Sequence, residues 1–347
     1  MKNNNNRIKR NFSRVWMMSI ALLSPSIYAQ NGLYFDYKDW EVACDNTGTC
    51  RAAGYQADEQ NPPVSLLLER VAGTNAAVKG KINIDPEVTR PITVTLFVGQ
   101  KSLGQLKLGE QGAVLNQAQI AALLLALKDG QAIELKYGQK TWRVSSAGSN
   151  AVLLKMDEFQ KCVGTQSALI KKGQLLNTQV KAAVTQPKIR LAATQHIKEK
   201  TVALDSPQGR QLIKHLRTGT TSEQCEFLYE PNDFAKQFTL YELNNNRTLV
   251  EFPCWMAAYN SGTGFWLMDA QLQQIKQIVS TSANDFDQGR INEGQRGRGI
   301  ADCMSAQEWA WNGQRFVQSY AERSNQCKGF LGGAWQLPTY VSEVIEP

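Results

Sequence analysis

The residues best suited to holding a ligand lie late in the chain, in Arg296-Gly297-Arg298-Gly299-Ile300-Ala301-Asp302-Cys303. Each guanidinium is a planar fork of five N–H donors that fits a carboxylate or a phosphate through two parallel hydrogen bonds. The glycines around Arg298 let a ligand reach backbone amides, which can themselves cradle an anion. Two arginines one residue apart can both face outward if the loop is tight, and Asp302 can hold one guanidinium in place. Arg296, Arg298 and Asp302 are therefore the ligand-binding candidates. The competing reading is a tight, glycine-dependent loop ahead of a strand and a bridge. Trp309, Trp311 and Trp335 stand near this run, as exposed ligand platforms or as core.

The remaining chemistry-bearing residues assemble into no catalytic set. Nucleophilic hydrolysis of the Ser-His or Cys-His kind needs a base, usually histidine. The two histidines are His196, in a basic stretch, and His215, beside the apolar stripe of a helix. Sugar hydrolysis needs two carboxyl groups at a set separation. Asp157, Glu158, Asp285, Asp287, Glu293 and Asp302 are available, and no spacing singles out a pair. The run from Asp285 to Glu293 has some features of a calcium loop. It lacks the third acidic ligand, Gly289 comes one place early, and the terminal acid is too near; a turn-rich hairpin fits better. Nothing in the chain indicates a cofactor.

Seven cysteines bear on the compartment: Cys44, Cys50, Cys162, Cys225, Cys254, Cys303 and Cys327. No C-x-x-C pair occurs and histidine is scarce, which speaks against a metal site. Residues 1–29 read as an export signal: Lys2, Arg7, Lys9, Arg10 and Arg14 precede the short apolar run from Val15 to Leu23, then Pro25 and a cleavage position at Ala29. That run falls short of the ~20 residues that span a bilayer. An exported chain meets oxidising chemistry, so bridges are the default. Cys44 and Cys50 flank a run of turn formers and suit a cross-hairpin bridge. The last four cysteines allow three connectivities. Cys225–Cys254 and Cys303–Cys327 are favoured because each brackets a compact strand-rich segment, and Cys162 is left as a free thiol. Once the signal is removed, the formal charge of +7 falls to 33 bases against 31 acids. The basic face that nucleic-acid binding needs is lost with it, and membrane-surface binding loses the same support.

The elements that must position these residues are mostly strands. Tyr37 to Ala43, Val64 to Leu68, Lys81 to Ile84, Ile92 to Val98 and Leu103 to Leu108 have strand character. A helix runs from a cap at Asn116 through Lys128 to Gly130, and a second follows a cap at Ser149. Ile133 to Tyr137 and Thr141 to Val144 make a hairpin. Residues 170–204 read as a basic linker. Ser206 and Pro207 then open a helix with Leu212, Ile213 and Leu216 on its apolar side. Phe238 to Leu243 with Arg247 to Phe252 is a hairpin, Gly264 to Met268 a buried strand, and Asn312-Gly313 predicts a type I′ turn between two more strands. The expected fold is α+β. Two antiparallel β-rich domains, residues 30–169 and 205–347, each carry one or two packed helices and are stapled by disulfides.

Several segments together resemble a family of exported bacterial proteins, domain of unknown function 1176. They are Phe35-Asp36-Tyr37-Lys38-Asp39-Trp40-Glu41-Val42-Ala43-Cys44-Asp45; Ser145-Ser146-Ala147-Gly148 running into Met156-Asp157; Arg296 to Cys303; Trp309-Ala310-Trp311-Asn312-Gly313; Cys327-Lys328-Gly329; and Trp335-Gln336-Leu337-Pro338. The first domain is also similar to the invasion-associated locus B proteins. The resemblance implies an envelope location and a fold, and no chemistry. The expectation is a periplasmic or secreted, non-catalytic module that binds a protein or glycan of the cell envelope. The alternative is a carboxylate-based enzyme acting on an envelope polymer.

Overall fold

Alternating apolar residues, broken by short turns, build the first half as a meander. β1 (Leu33–Tyr37), β2 (Trp40–Cys44), β3 (Cys50–Tyr55), β4 (Val64–Arg70) and β5 (Lys79–Ile84) pair antiparallel, each with the next. β6 (Ile92–Val98) and β7 (Lys101–Leu108) form a hairpin, and β8 (Ala113–Leu115) returns to pair with β5. After α1 (Gln117–Asp129), the hairpin of β9 (Ile133–Tyr137) and β10 (Lys140–Val144) joins a second sheet ordered β10-β9-β6-β7, and α2 (Ser149–Phe159) follows. The computed structural model describes residues 32–347 apart from residues 59, 86, 195 and 196. The expected export signal and His196 lie outside the described residues.

One face of the first sheet supplies Trp40, Val42, Leu66, Leu68 and Ile82 to a core closed by Leu96, Leu135 and Trp142 of the second sheet and by Leu123, Leu127 and Leu153 of the helices. Burying each such side chain stabilises the fold by ~1.5–3 kcal/mol. Asn116 and Gln119 exchange hydrogen bonds in a capping box, and Gly130 ends α1 at φ 69°. Ser149 does not cap α2. It is the first helical residue, buried, and its hydroxyl donates to the Ser146 carbonyl at 2.8 Å. Gly148 makes the entry at φ 96°, where a Cβ would stand 2.0 Å from the Tyr37 carbonyl oxygen.

Within residues 170–204, expected as linker, two strands form. β11 (Lys188–Arg190) pairs in parallel with the last strand of the chain, and β12 (Lys198–Ala203) opens the next sheet. α3 (Pro207–Leu216), capped by Ser206, and the short α4 (Glu226–Tyr229) precede β13 (Gln237–Leu243), β14 (Arg247–Met256), β15 (Ser261–Asp269) and β16 (Ile275–Ala283), which extend that sheet in sequence order. β17 (Asp285–Asp287), β18 (Arg290–Arg296), β19 (Met304–Trp311), β20 (Phe316–Arg323) and β21 (Pro338–Val341) form a further antiparallel sheet, and β22 (Glu343–Ile345) returns to β11. The described residues form one compact unit, with separate apolar cores in its two halves. The fold is mostly antiparallel β-sheet with packed helices, consistent with the α+β expectation.

The turns differ from expectation at one point. Trp311 pairs with Phe316, so Asn312 to Arg315 make a four-residue loop. The Asn312 side chain accepts from the Gln314 and Arg315 amides, and this local bonding wins over the type I′ turn. The two-residue turn with both φ positive is Gln288 (46°) and Gly289 (82°), inside the run with calcium-loop features. The bridges are Cys44–Cys50, Cys225–Cys254 and Cys303–Cys327, and Cys162 is buried and unpaired.

Candidate functional site

The glycine-arginine run forms the connection between β18 and β19. The Gly297 amide donates to the Cys303 carbonyl at 2.8 Å, closing the loop, and a Cβ on Gly297 would stand 2.6 Å from Cys303 Sγ. Arg298 turns inward. Its Nε and Nη2 meet the two carboxylate oxygens of Asp302 at 2.7 and 2.6 Å, and Nη2 also reaches the Cys327 carbonyl at 3.2 Å. Asp302 is buried and takes the Gly329 amide at 2.7 Å. Burial pushes its carboxyl upward, but the Arg298 fork and the Gly329 N–H outweigh burial and hold it below the usual carboxylate range. Together with the Cys303–Cys327 bridge, the pair stitches the loop to residues 327–329.

Arg296 stands apart from that pair. Asn260 clasps its backbone, accepting from its amide and donating to its carbonyl at 2.9 Å each. Its side chain is exposed, and among the described residues no hydrogen bond or ion pair engages the guanidinium. It borders two cavities. One, of about 450 Å³, is lined by Ser305, Gln307, Arg323, Ser324 and Asn325. The other, of about 420 Å³, holds Met256, Tyr259 and Asn260. Trp311 is core, with its Nε1 donating to Asn244 at 2.9 Å; Trp309 packs against the same core. Trp335 lies elsewhere, against the first sheet.

The carboxylates singled out by sequence are dispersed and mostly tied. Asp157 is buried, meets Arg70 at 2.7 Å and accepts the Leu169 and Ile170 amides. Glu158 pairs with Lys155, Asp285 with Asn292, and Glu293 with Ser280 and Gln307. Asp287 borders a cavity of about 470 Å³ that includes Glu199, Tyr241 and Phe286. His215 is half-buried on α3.

Sequence reasoning missed the outer face of the first sheet. Register aligns Tyr34, Ala43, Arg51 and Glu69 in one cross-strand row, Glu41, Ala53, Leu67 and Lys81 in the next, and Tyr55, Ser65 and Asn83 in a third. Period-two alternation puts all three rows on the side away from the first core. Phe330, Ala334, Trp335 and Leu337 cover part of this face, packing on Ala43, Ala53, Tyr55 and Leu67. Polar joints secure the cover. Lys328 Nζ reaches Asp39 and the Gln56 carbonyl at 3.0 Å each, Trp335 Nε1 donates to Ser65 Oγ at 2.6 Å, and the Asn46 amide pairs with the Val341 backbone.

Under this cover, Glu41 is fully buried. It accepts from the Tyr34 and Tyr55 hydroxyls at 2.6 Å, from Ser324 at 2.9 Å and from the Asn325 amide at 3.2 Å. Burial raises its carboxyl above the usual glutamate range, and the hydrogen bonds offset only part of that. The sequence signal was there: a glutamate inside a strand flanked by apolar residues on both sides. Beside the cover a cleft of about 750 Å³ remains open. Its floor is Arg51, Leu67, Glu69, Lys81 and Asn83, and its wall is Tyr320, Phe330, Trp335 and Pro338. Leu331, 77% exposed, stands at the rim.

The motifs from the two ends of the chain are thus the parts that meet. The chain belongs to the family described as protein of unknown function (DUF1176), which it matches over residues 34–342. It is 22% identical over 349 residues to the uncharacterized protein YpfG of Escherichia coli strain K12, covering 91% of this chain and 95% of that one. No solved structure matches the chain. Among the described residues, no helix of this DUF1176 member is long and apolar enough to cross a membrane.

Proposed function

We propose that this DUF1176 protein is an exported, non-catalytic binding module of the bacterial cell envelope, holding a protein or glycan partner in the cleft on the outer face of its first sheet. The observation that carries the reading is the cleft itself: about 750 Å³, open, with a sheet floor and a partly aromatic wall. Ligand sites are typically concave spaces of about 300–1,000 Å³ with a few placed polar groups. Three disulfides suit an oxidising compartment, and the basic, then apolar, N-terminal run supplies the export signal. The resemblance read in the first domain's sequence to the invasion-associated locus B proteins implies an exported, disulfide-bearing β-rich domain. Arg298 and Asp302 serve as the frame of their loop, and Arg296 is left as a secondary contact.

A carboxylate enzyme is the competing reading, and Glu251 is where it would centre. Burial raises the Glu251 carboxyl, and Tyr241, which donates to it at 2.7 Å, lines the cavity that also holds Glu199 and Asp287. One experiment separates the two. The mature chain and a Lys81→Glu/Leu331→Asp variant, both positions exposed, are immobilised and exposed to envelope extract. The binding reading expects a component retained by the first and not by the second. Retention unaffected by the variant, or polymer cleavage abolished by Glu251→Gln, overturns it.

A further inference from the structure

We propose that the cleft takes an uncharged sugar residue, seated against Trp335; this names the ligand class for the binding reading above and rests on it. The charges that border the cleft cancel. Arg51 and Lys81 are matched by Glu69 and Glu110. Arg51 is already spent, on Asp45 at 2.9 Å and on Glu69 at 3.0 Å. That leaves Lys81 and Glu110, one exposed charge of each sign, so neither an anionic nor a cationic ligand meets a net opposite charge there.

A peptide added as an extra strand is disfavoured for a different reason. β4 and β5, which make most of the floor, are paired on both sides, so the floor offers no open strand edge, and the backbone of Val341 in the wall's edge strand β21 is already held by the Asn46 amide. What the wall offers is aromatic surface with its polar ends occupied. Trp335 is half-buried and its indole N–H is committed to Ser65 Oγ, which itself donates to the Gly54 carbonyl at 3.1 Å. The Tyr320 hydroxyl is committed to Glu322 at 2.6 Å. Anchored in this way, the two rings present apolar surface. Around them stand Asn83, Gln111 and Gln336, whose amides both donate and accept. A sugar ring carries the matching pair of surfaces: a C–H face for the aromatic wall and a hydroxyl edge for neutral amides.

The test is a glycan array of pentose, hexose and N-acetylhexosamine oligomers, with uronic-acid and sialylated oligomers and a peptide library printed beside them. The chains applied are the mature protein, Trp335→Ala and Lys81→Trp. Lys81 is an exposed floor residue, so Lys81→Trp fills the cleft without touching the core and answers the question even if Trp335→Ala folds poorly. The expected result is binding to at least one neutral oligomer. It should weaken about tenfold or more in Trp335→Ala and vanish in Lys81→Trp while circular dichroism stays unchanged. No neutral oligomer bound, a preference for the anionic sugars, or binding indifferent to Lys81→Trp overturns the proposal. If the array is empty while the envelope extract still yields a protease-sensitive partner lost in Lys81→Glu/Leu331→Asp, the sugar assignment fails and the binding reading stands.

Discussion

Replacing Glu41 probes how the two ends of the chain are locked together. In Glu41→Ala, three hydroxyl donors lose their acceptor, those of Tyr34, Tyr55 and Ser324, while the Asn325 amide keeps its 2.8 Å bond to the Tyr34 hydroxyl. Tyr34 and Ser324 lie close enough to solvent for water to replace the carboxylate. Tyr55, 2% exposed, does not. Leaving one buried donor unsatisfied costs ~1–3 kcal/mol, and the void left by the side chain adds ~1–2 kcal/mol. The expected loss is therefore about 2–5 kcal/mol. Glu41→Gln keeps the shape. Its amide oxygen can accept from Tyr34 and the Asn325 N–H, while Tyr55 and Ser324 rotate their hydroxyls to accept from the amide NH₂. The expected cost is ~1 kcal/mol or less. The sign of the pH effect follows from the raised carboxyl. The folded protein keeps a proton that the unfolded chain releases. This contribution is present in full below the ordinary glutamate value, ~4.3, and is lost as pH rises through the elevated folded value, at up to ~1.4 kcal/mol per pH unit. Urea midpoints of the three proteins from pH 4 to 8 measure it. Wild type should fall relative to Glu41→Gln as pH rises. A pH-independent gap between them, or a Glu41→Ala cost under ~1 kcal/mol, would refute the reasoning.

Arg298→Ala strands the buried Asp302 carboxylate and should cost about 1–3 kcal/mol by denaturant midpoint. Arg298→Lys should recover little, because the two-bond fork is gone. Arg296→Ala, exposed and unpaired, should stay within ~0.5 kcal/mol of wild type, and a larger loss would place Arg296 in the frame as well. Burial pushes the Cys162 thiol above its ordinary value, so the native protein should resist iodoacetamide at pH 8 and label fully in urea; rapid native labelling would contradict this.

What the sequence made legible follows the range of the interactions involved. The caps of α1 and α3 are set by neighbours three residues away, and Asn116 with Gln119 and Ser206 with Gly209 behave accordingly. The hairpin cysteines were likewise readable from the turn formers between them. The two turns were not, because the Asn312 side chain captured its own backbone while Gln288-Gly289 lacked the usual asparagine signature. The arginine loop was half legible. Its residue types were right for an anion, but that Arg298 would spend its fork on Asp302 depends on Gly329 and Cys327 arriving from another segment.

That dependence on distant segments also accounts for why the cleft was invisible in one dimension. Its floor comes from β3, β4 and β5 and its wall from residues 320–341, so no local window contains both. The cover that shapes it has a physical necessity. Ala43, Ala53, Tyr55 and Leu67 give the first sheet a second apolar face, and Glu41 adds a carboxyl group that bulk water would otherwise keep charged. Phe330 and Leu337 remove that apolar face from solvent. Ser324, Asn325 and Lys328 bring the donors that make burial of Glu41 and Asp39 tolerable. The Cys303–Cys327 bridge and the Arg298–Asp302 pair hold the start of this cover, with Gly329 bonded to the same carboxylate. The glycine-arginine loop, first read as the place where a ligand would sit, thus anchors the segment whose Trp335 walls the cleft. A loss of ligand binding on removing Arg298 would report on that wall as much as on any contact Arg298 makes.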